Sequence, residues 1–122
     1  MAHHNNSLLV RQMSVCRENE AEFIAPLAGS KLGVSRAALR AVFPIHGLRH
    51  APCRGTSGWY IWSGDSSDDP AFFEPTHVGH AESGEMVFAR YLALAPGWRF
   101  LLGEDGYQDV WFDQSLLELA GK

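Results

Sequence analysis

The sequence predicts a small single α+β domain with an antiparallel sheet and two or three short helices. Its 122 residues fit one domain of ordinary size, and a hydrophobic share of 46% suffices for a real core. Three short runs rich in Trp, Tyr, Phe and Val (residues 58–63, 98–102 and 107–112) have the composition of strands and are bracketed by glycines and turn residues. Between and around them lie stretches with apolar residues at helical spacing that open on serine or acidic side chains.

In chain order, residues 1–6 are polar and are expected to lack structure, so that 7–122 form the domain. Residues 7–15 (SLLVRQMSV) mix Leu, Val and Met with polar positions and read as a first strand. Residues 17–27 read as a short helix, because Glu18, Glu20 and Glu22 near the start favour a helix N-terminus; it ends near Pro26 and Gly29. Residues 30–33 read as loop. Residues 35–43 (SRAALRAVF) suit a helix capped by Ser35 and ended by Pro44, with a strand over 41–45 as the competing reading. Residues 47–57 hold Pro52 and Gly55 among polar neighbours and read as an exposed loop.

Residues 58–63 (GWYIWS) form the clearest strand. Alternation puts Trp59 and Ile61 on one face and Tyr60 and Trp62 on the other; with both faces at least partly covered, this strand is central. Residues 65–70 form an acidic turn, and Phe72 and Phe73 dock it back onto the body. Residues 83–91 read as a short helix opened by Ser83. The Asp-Gly signature at 104–106 joins the strands at 98–102 and 107–112 into a hairpin, and Asp113 caps a final helix over 113–119.

Charge is divided unevenly along the chain. Residues 58–122 carry eleven acidic and three basic side chains, a net of −8, whereas residues 1–57 carry seven basic and three acidic, a net of +4. All four tryptophans and all three tyrosines lie in the acidic part. Such a chain has either an internal electrostatic seam or a face that meets a basic partner. The overall charge of −4 argues against nucleic acid as the main partner. No apolar run approaches the ~20 residues that span a bilayer. The first residues lack a basic stretch followed by an apolar one, so cytoplasmic residence is expected, with Cys16 and Cys53 reduced.

Several constellations present candidate chemical sites. Glu74, His77 and His80 form E-x-x-H-x-x-H, three ligand types in seven residues, but the spacing drifts around a helix and lacks the histidine pair of a zinc peptidase. A metal-dependent hydrolase on these residues is thus an alternative, with polar or structural roles the plainer account. Asp65, Asp68 and Asp69 with Ser66 and Ser67 lack the order of a calcium loop; they form a solvated turn or an acidic docking patch. Glu104, Asp105, Asp109 and Asp113 supply carboxylates, but no spacing sets two of them across a cleft. Neither cysteine sits in a nucleophile signature, and no glycine-rich nucleotide loop is present. Most of the aromatic residues belong in the core. Trp62 beside Asp65, and Trp111 between Asp109 and Asp113, have the composition of an interface hot spot.

Three short motifs carry a family resemblance. Ser57, Gly58 and Trp59 precede Ser63, Gly64 and Asp65; Pro96 to Phe100 reads PGWRF; and Asp109, Val110, Trp111, Phe112 and Asp113 form an acidic aromatic end. With residues 72–80, these resemble a bacterial immunity-protein domain family, first catalogued as a domain of unknown function and later linked to polymorphic toxin systems. The resemblance covers roughly the second half, and residues 34–54 have no place in its pattern. It implies a small cytoplasmic, non-enzymatic protein that binds and neutralises a cognate toxin. The acidic half independently fits a basic toxin that associates by electrostatic steering. The expected partner-binding residues, chosen on physical grounds, are Trp62, Asp65, Asp68, Asp69, Asp109, Trp111 and Asp113. No cofactor, metal, nucleic acid or membrane is expected, and the protein is expected to be a monomer or weak homodimer. A self-associating regulatory module, pairing through an exposed sheet edge, is a further alternative.

Overall fold

The computed structural model describes residues 3–119 except 68 and 70, and the side chains of 7–118 among these. The single α+β domain is as expected. Its sheet has six strands: β1 (Lys31–Ser35), β2 (Ile45–Arg49), β3 (Thr56–Ser63), β4 (Phe73–His77), β5 (Trp98–Leu102) and β6 (Gln108–Phe112), in the order β4-β1-β3-β2-β5-β6. Among the described residues four helices accompany it: α1 (His3–Glu18), α2 (Arg36–Leu39), α3 (Val78–Ser83) and α4 (Ser115–Leu119). The sheet is mixed rather than wholly antiparallel, because β1 lies parallel to β3. The chain leaves β1 through α2 and returns through β2 before entering β3, and a connection of that length permits parallel pairing.

The largest departures from expectation lie at the start of the chain. Residues 7–15 belong to α1, not to a strand. The buried positions decide this: Leu8, Gln12, Val15 and Cys16 recur at helical spacing and face the core. Of the six residues expected to lack structure, Met1 and Ala2 lie outside the described residues. The helix expected over 17–27 is replaced by the end of α1. Ala21 N–H donates to Cys16 O at 2.8 Å, Glu20 N–H donates to Arg17 O at 3.2 Å, and Glu20 takes a left-handed φ of 56°. This paired arrangement stops a helix, so the glutamates lie at its end instead of its start. Residues 30–33 are mostly strand β1; of the stretch 47–57, expected to be loop, residues 47–49 and 56–57 belong to β2 and β3, and 50–55 lie outside the named strands. The helix expected over 83–91 is divided: α3 ends at Ser83, and a 3-10 turn covers Ala89–Tyr91.

Other elements follow the sequence. Ser35 caps α2 by accepting from Ala38 N–H at 3.2 Å, and the competing strand begins later, at Ile45. β3 is central, and the β5–β6 hairpin turns at Asp105 and Gly106 with φ of 62° and 80°. Asp113 opens α4 by accepting from Ser115 N–H at 3.1 Å. Pro75 sits in edge strand β4, where a missing N–H is tolerated.

One face of the sheet carries the core. Trp59, Ile61, Val34, Ile45 and Phe100 cover a buried segment of irregular backbone that includes Phe88, Ala89 and residues 91–94. Phe100 stacks on Tyr91 at 4.8 Å and tilts against Trp59 at 5.5 Å. Buried carbonyls outside regular structure need donors, and side chains supply them. Gln12 donates to Ala89 O at 3.1 Å and Trp59 Nε1 to Leu92 O at 2.9 Å. Arg49, only 1% exposed, donates to Leu94 O at 2.8 Å, Ile24 O at 2.7 Å and Ser57 O at 2.9 Å. Burial lowers the Arg49 pKa to about 10, so the guanidinium is still charged at neutral pH.

Replacing Arg49 with Met strands several buried carbonyls, each worth about 1–3 kcal/mol, and lowers the unfolding free energy by about 3 kcal/mol or more. Arg49→Lys does not restore it, because an ammonium lacks the planar fork that bridges three segments. Urea denaturation of both variants measures this.

Candidate functional site

The other face of the sheet is built from the alternate residues of the same strands. Cross-strand register places Tyr60 beside Leu48 and Trp62 beside His46. Leu48 and His46 lie opposite Arg99 and Leu101 on β5, which in turn meet Trp111 and Asp109 on β6. On the far side, Phe73 and Pro75 of β4 flank Gly33 of β1. These side chains are half-buried or exposed, in contrast to the sealed opposite face. α4 reaches only one end of this face, where Leu116 O lies 3.2 Å from His50 Nδ1.

The rings form a connected group. His46 stacks on Trp62 with centroids 5.2 Å apart and planes 13° apart. Phe73 meets Tyr60 at 5.2 Å and Trp62 at 6.2 Å, both edge-on. A Cβ at Gly33 would come within 3.0 Å of the Tyr60 ring and 3.2 Å of Phe73, so a glycine there lets the two rings close over the strand. Tyr60, Trp62, Phe73, Leu48 and His50, walled by Ser66 and Ser67, line an open cup of about 340 Å³.

The charges are arranged around this group. Arg99 lies over the Trp111 ring at 5.5 Å and donates to Asp113 Oδ2 at 3.1 Å. Its Nε is buried without a hydrogen-bond partner among the described residues. The Asp113 carboxyl is held below the usual range, first by the Ser115 hydroxyl and then by Arg99. Burial lowers the His46 pKa, the nearby Arg99 lowers it further, and Asp65 opposes both.

The expected partner-binding residues fall into separate groups. Trp62, Asp109 and Trp111 share the open face, with Trp62 and Trp111 partly exposed and Asp109 exposed. Asp65 is exposed in the loop after β3, and Asp69 is exposed while its Oδ1 accepts from Ala71 N–H at 2.9 Å. Asp113 is engaged by Arg99 of its own chain. Asp68 lies outside the described residues. Trp59, by contrast, is sealed at 1% exposure.

The metal alternative finds no cluster: Glu74 pairs with Arg36, and no group of three His, Cys, Asp or Glu side chains is placed to hold an ion among the described residues. That pair also joins the basic and acidic parts of the chain, so the seam between them is partly internal. Cys16 is buried, its Sγ lies 3.6 Å from Ala93 O and burial raises its pKa, which suits a structural thiol; Cys53 is free and exposed. His46, Leu48, Tyr60, Phe73 and Arg99 were missing from the expected set. Alternation in residues 58–63 did place Tyr60 with Trp62. His46 and Leu48 were hidden because the competing strand stopped at 45 and residues 47–57 read as an exposed loop, whereas β2 covers both positions.

The Imm33-like domain model matches residues 11–113. No curated protein and no solved structure is significantly similar to the chain. No helix among the described residues is long and apolar enough to cross a membrane.

The fold opposes protonation of His46. The unfolded chain therefore binds more protons between the lowered folded pKa and the ordinary value of about 6.5, and stability falls as pH drops through that window. Denaturation midpoints taken from about pH 7.5 down to about pH 5 show this decline, and His46→Gln flattens it.

Proposed function

This chain belongs to the Imm33-like domain family, and we propose on that premise that it is a non-enzymatic immunity protein that binds and neutralises a cognate bacterial toxin in the cytoplasm. The toxin docks on the open face of the sheet. The observation that carries this reading is the pairing of one sealed sheet face with one face of partly exposed rings and charges. Partly exposed aromatic residues ringed by polar groups are the usual anchors of protein recognition. Trp62 and Trp111 supply the contact area. Asp65, Asp69 and Asp109, with Asp68 beside them in sequence, supply a negative field that draws a basic toxin surface. Asp113 acts through Arg99, holding it against Trp111 so that part of the guanidinium is presented beside that ring. The protein works as a monomer or weak homodimer, with no cofactor.

The test uses the cognate toxin, sought first among the proteins encoded by the neighbouring reading frames. Trp62→Ala and Trp111→Ala each weaken its binding by about 2 kcal/mol, on the order of 30-fold, and reduce protection in a co-expression growth assay. Affinity falls as salt rises from about 0.05 to about 0.5 M, since exposed charges are screened over a few ångströms at the upper end. Full affinity in both variants together with salt-independent binding sinks the open-face reading.

A further inference from the structure

We propose that the cup between Tyr60, Trp62 and Phe73 receives an arginine side chain of the partner protein. This deepens the docking-face reading and rests on it for the partner's identity.

The chain's own contacts show the chemistry. Arg49 lies over Trp59 at 5.8 Å, Arg90 over Tyr91 at 5.0 Å and Arg99 over Trp111 at 5.5 Å. Guanidinium on an aromatic face is thus a contact this fold uses in three places. The Tyr60–Trp62–Phe73 group is a comparable aromatic surface, and among the described residues no arginine or lysine lines its cup. Arg99, which shares this sheet face, is held over Trp111 and bound by Asp113, so the chain's own cation is kept aside.

The cup also offers acceptors. Leu116 O accepts from His50 Nδ1, which leaves Nε2 of the neutral ring as an acceptor. The Ser67 hydroxyl accepts from Asp69 N–H at 3.1 Å and has a second lone pair. Asp65 is exposed in the loop that runs from Trp62 to Ser66 and Ser67 of the cup wall, which brings a carboxylate to its rim. Rings set edge-on to one another, with hydroxyl, imidazole and carboxylate acceptors around them, match a planar cation with five donors better than a compact ammonium or a plain hydrocarbon chain. The negative charge of residues 58–122 favours the same occupant.

The test needs no toxin, so its outcome is separate from that of the docking-face reading. N-acetyl-arginine amide is titrated into the whole protein while the Trp62 indole N–H is followed by NMR. A saturable shift with a millimolar dissociation constant is expected, weaker for N-acetyl-lysine amide and at least fivefold weaker for N-acetyl-norleucine amide. Asp65→Asn lowers the arginine affinity several-fold and Trp62→Leu at least tenfold, followed for that variant on Tyr60, with the dispersed spectrum of the folded protein retained. Equal binding of the norleucine probe overturns the proposal in favour of an apolar anchor. Tighter binding of tetramethylammonium than of the arginine probe overturns it in favour of a small quaternary ligand. No saturable shift with any probe overturns it outright.

Discussion

The structure depends on donors brought to a buried stretch of backbone that belongs to no helix or strand of useful length. Residues 88–95, apart from the exposed Arg90, run beneath the sheet almost fully sealed from water, and their carbonyls require partners that regular structure does not provide. Arg49 meets this need for Leu94 and ties in Ile24 and Ser57; Trp59 meets it for Leu92, and Gln12 for Ala89. These three donors come from α1, β2 and β3, so one polar network joins the first helix, the central strands and the irregular segment. The basic first part of the chain thereby gains a role that its net charge did not suggest: its most buried arginine is structural.

The same logic explains the short motifs that carry the family resemblance. Ser57 donates to Lys31 O at 2.9 Å and accepts from Trp59 N–H at 3.2 Å. Gly58 has φ of 92°, and a Cβ there would lie 1.9 Å from His50 O. Gly97, with φ of 98°, donates to Arg49 O at 2.7 Å and accepts from Asp113 N–H at 2.7 Å. A positive φ with a carbonyl against the Cα at Gly58, and with the Phe112 ring 2.5 Å from where a Cβ would stand at Gly97, leaves room for glycine alone. Ser-Gly-Trp and Pro-Gly-Trp are therefore scaffold signatures. They locate strands and close the network around Arg49, and they say little about what the opposite face touches.

Legibility followed the strength of local signals. β3, β5, β6 and the Asp-Gly turn were readable because aromatic and β-branched residues lie between glycines at strand length. α1 was not, because its apolar residues are dense enough to fit two periods, and only the buried quartet ending in Cys16 selects the helical one. β2 was obscured by Gly47 and by polar His46 and Arg49. Gly47 is needed because a Cβ would come within 2.3 Å of Phe100, and Arg49 is a charged residue used as a core donor. Both are tertiary requirements that no local pattern announces. For the open face, the sequence supplied Trp62, Trp111 and Asp109, but the neighbours that make them a surface come from β2 and β4, across pairings that span long stretches of chain.

β3 places Trp59 and Ile61 against the core and, between and beyond them, Tyr60 and Trp62 on the outer side. Outer surface and core thus read from interleaved letters of one eight-residue word. Drift in the outward letters alters what the surface presents and leaves the inward ones in their network. A lineage built on this scaffold can revise that surface without relearning how to fold.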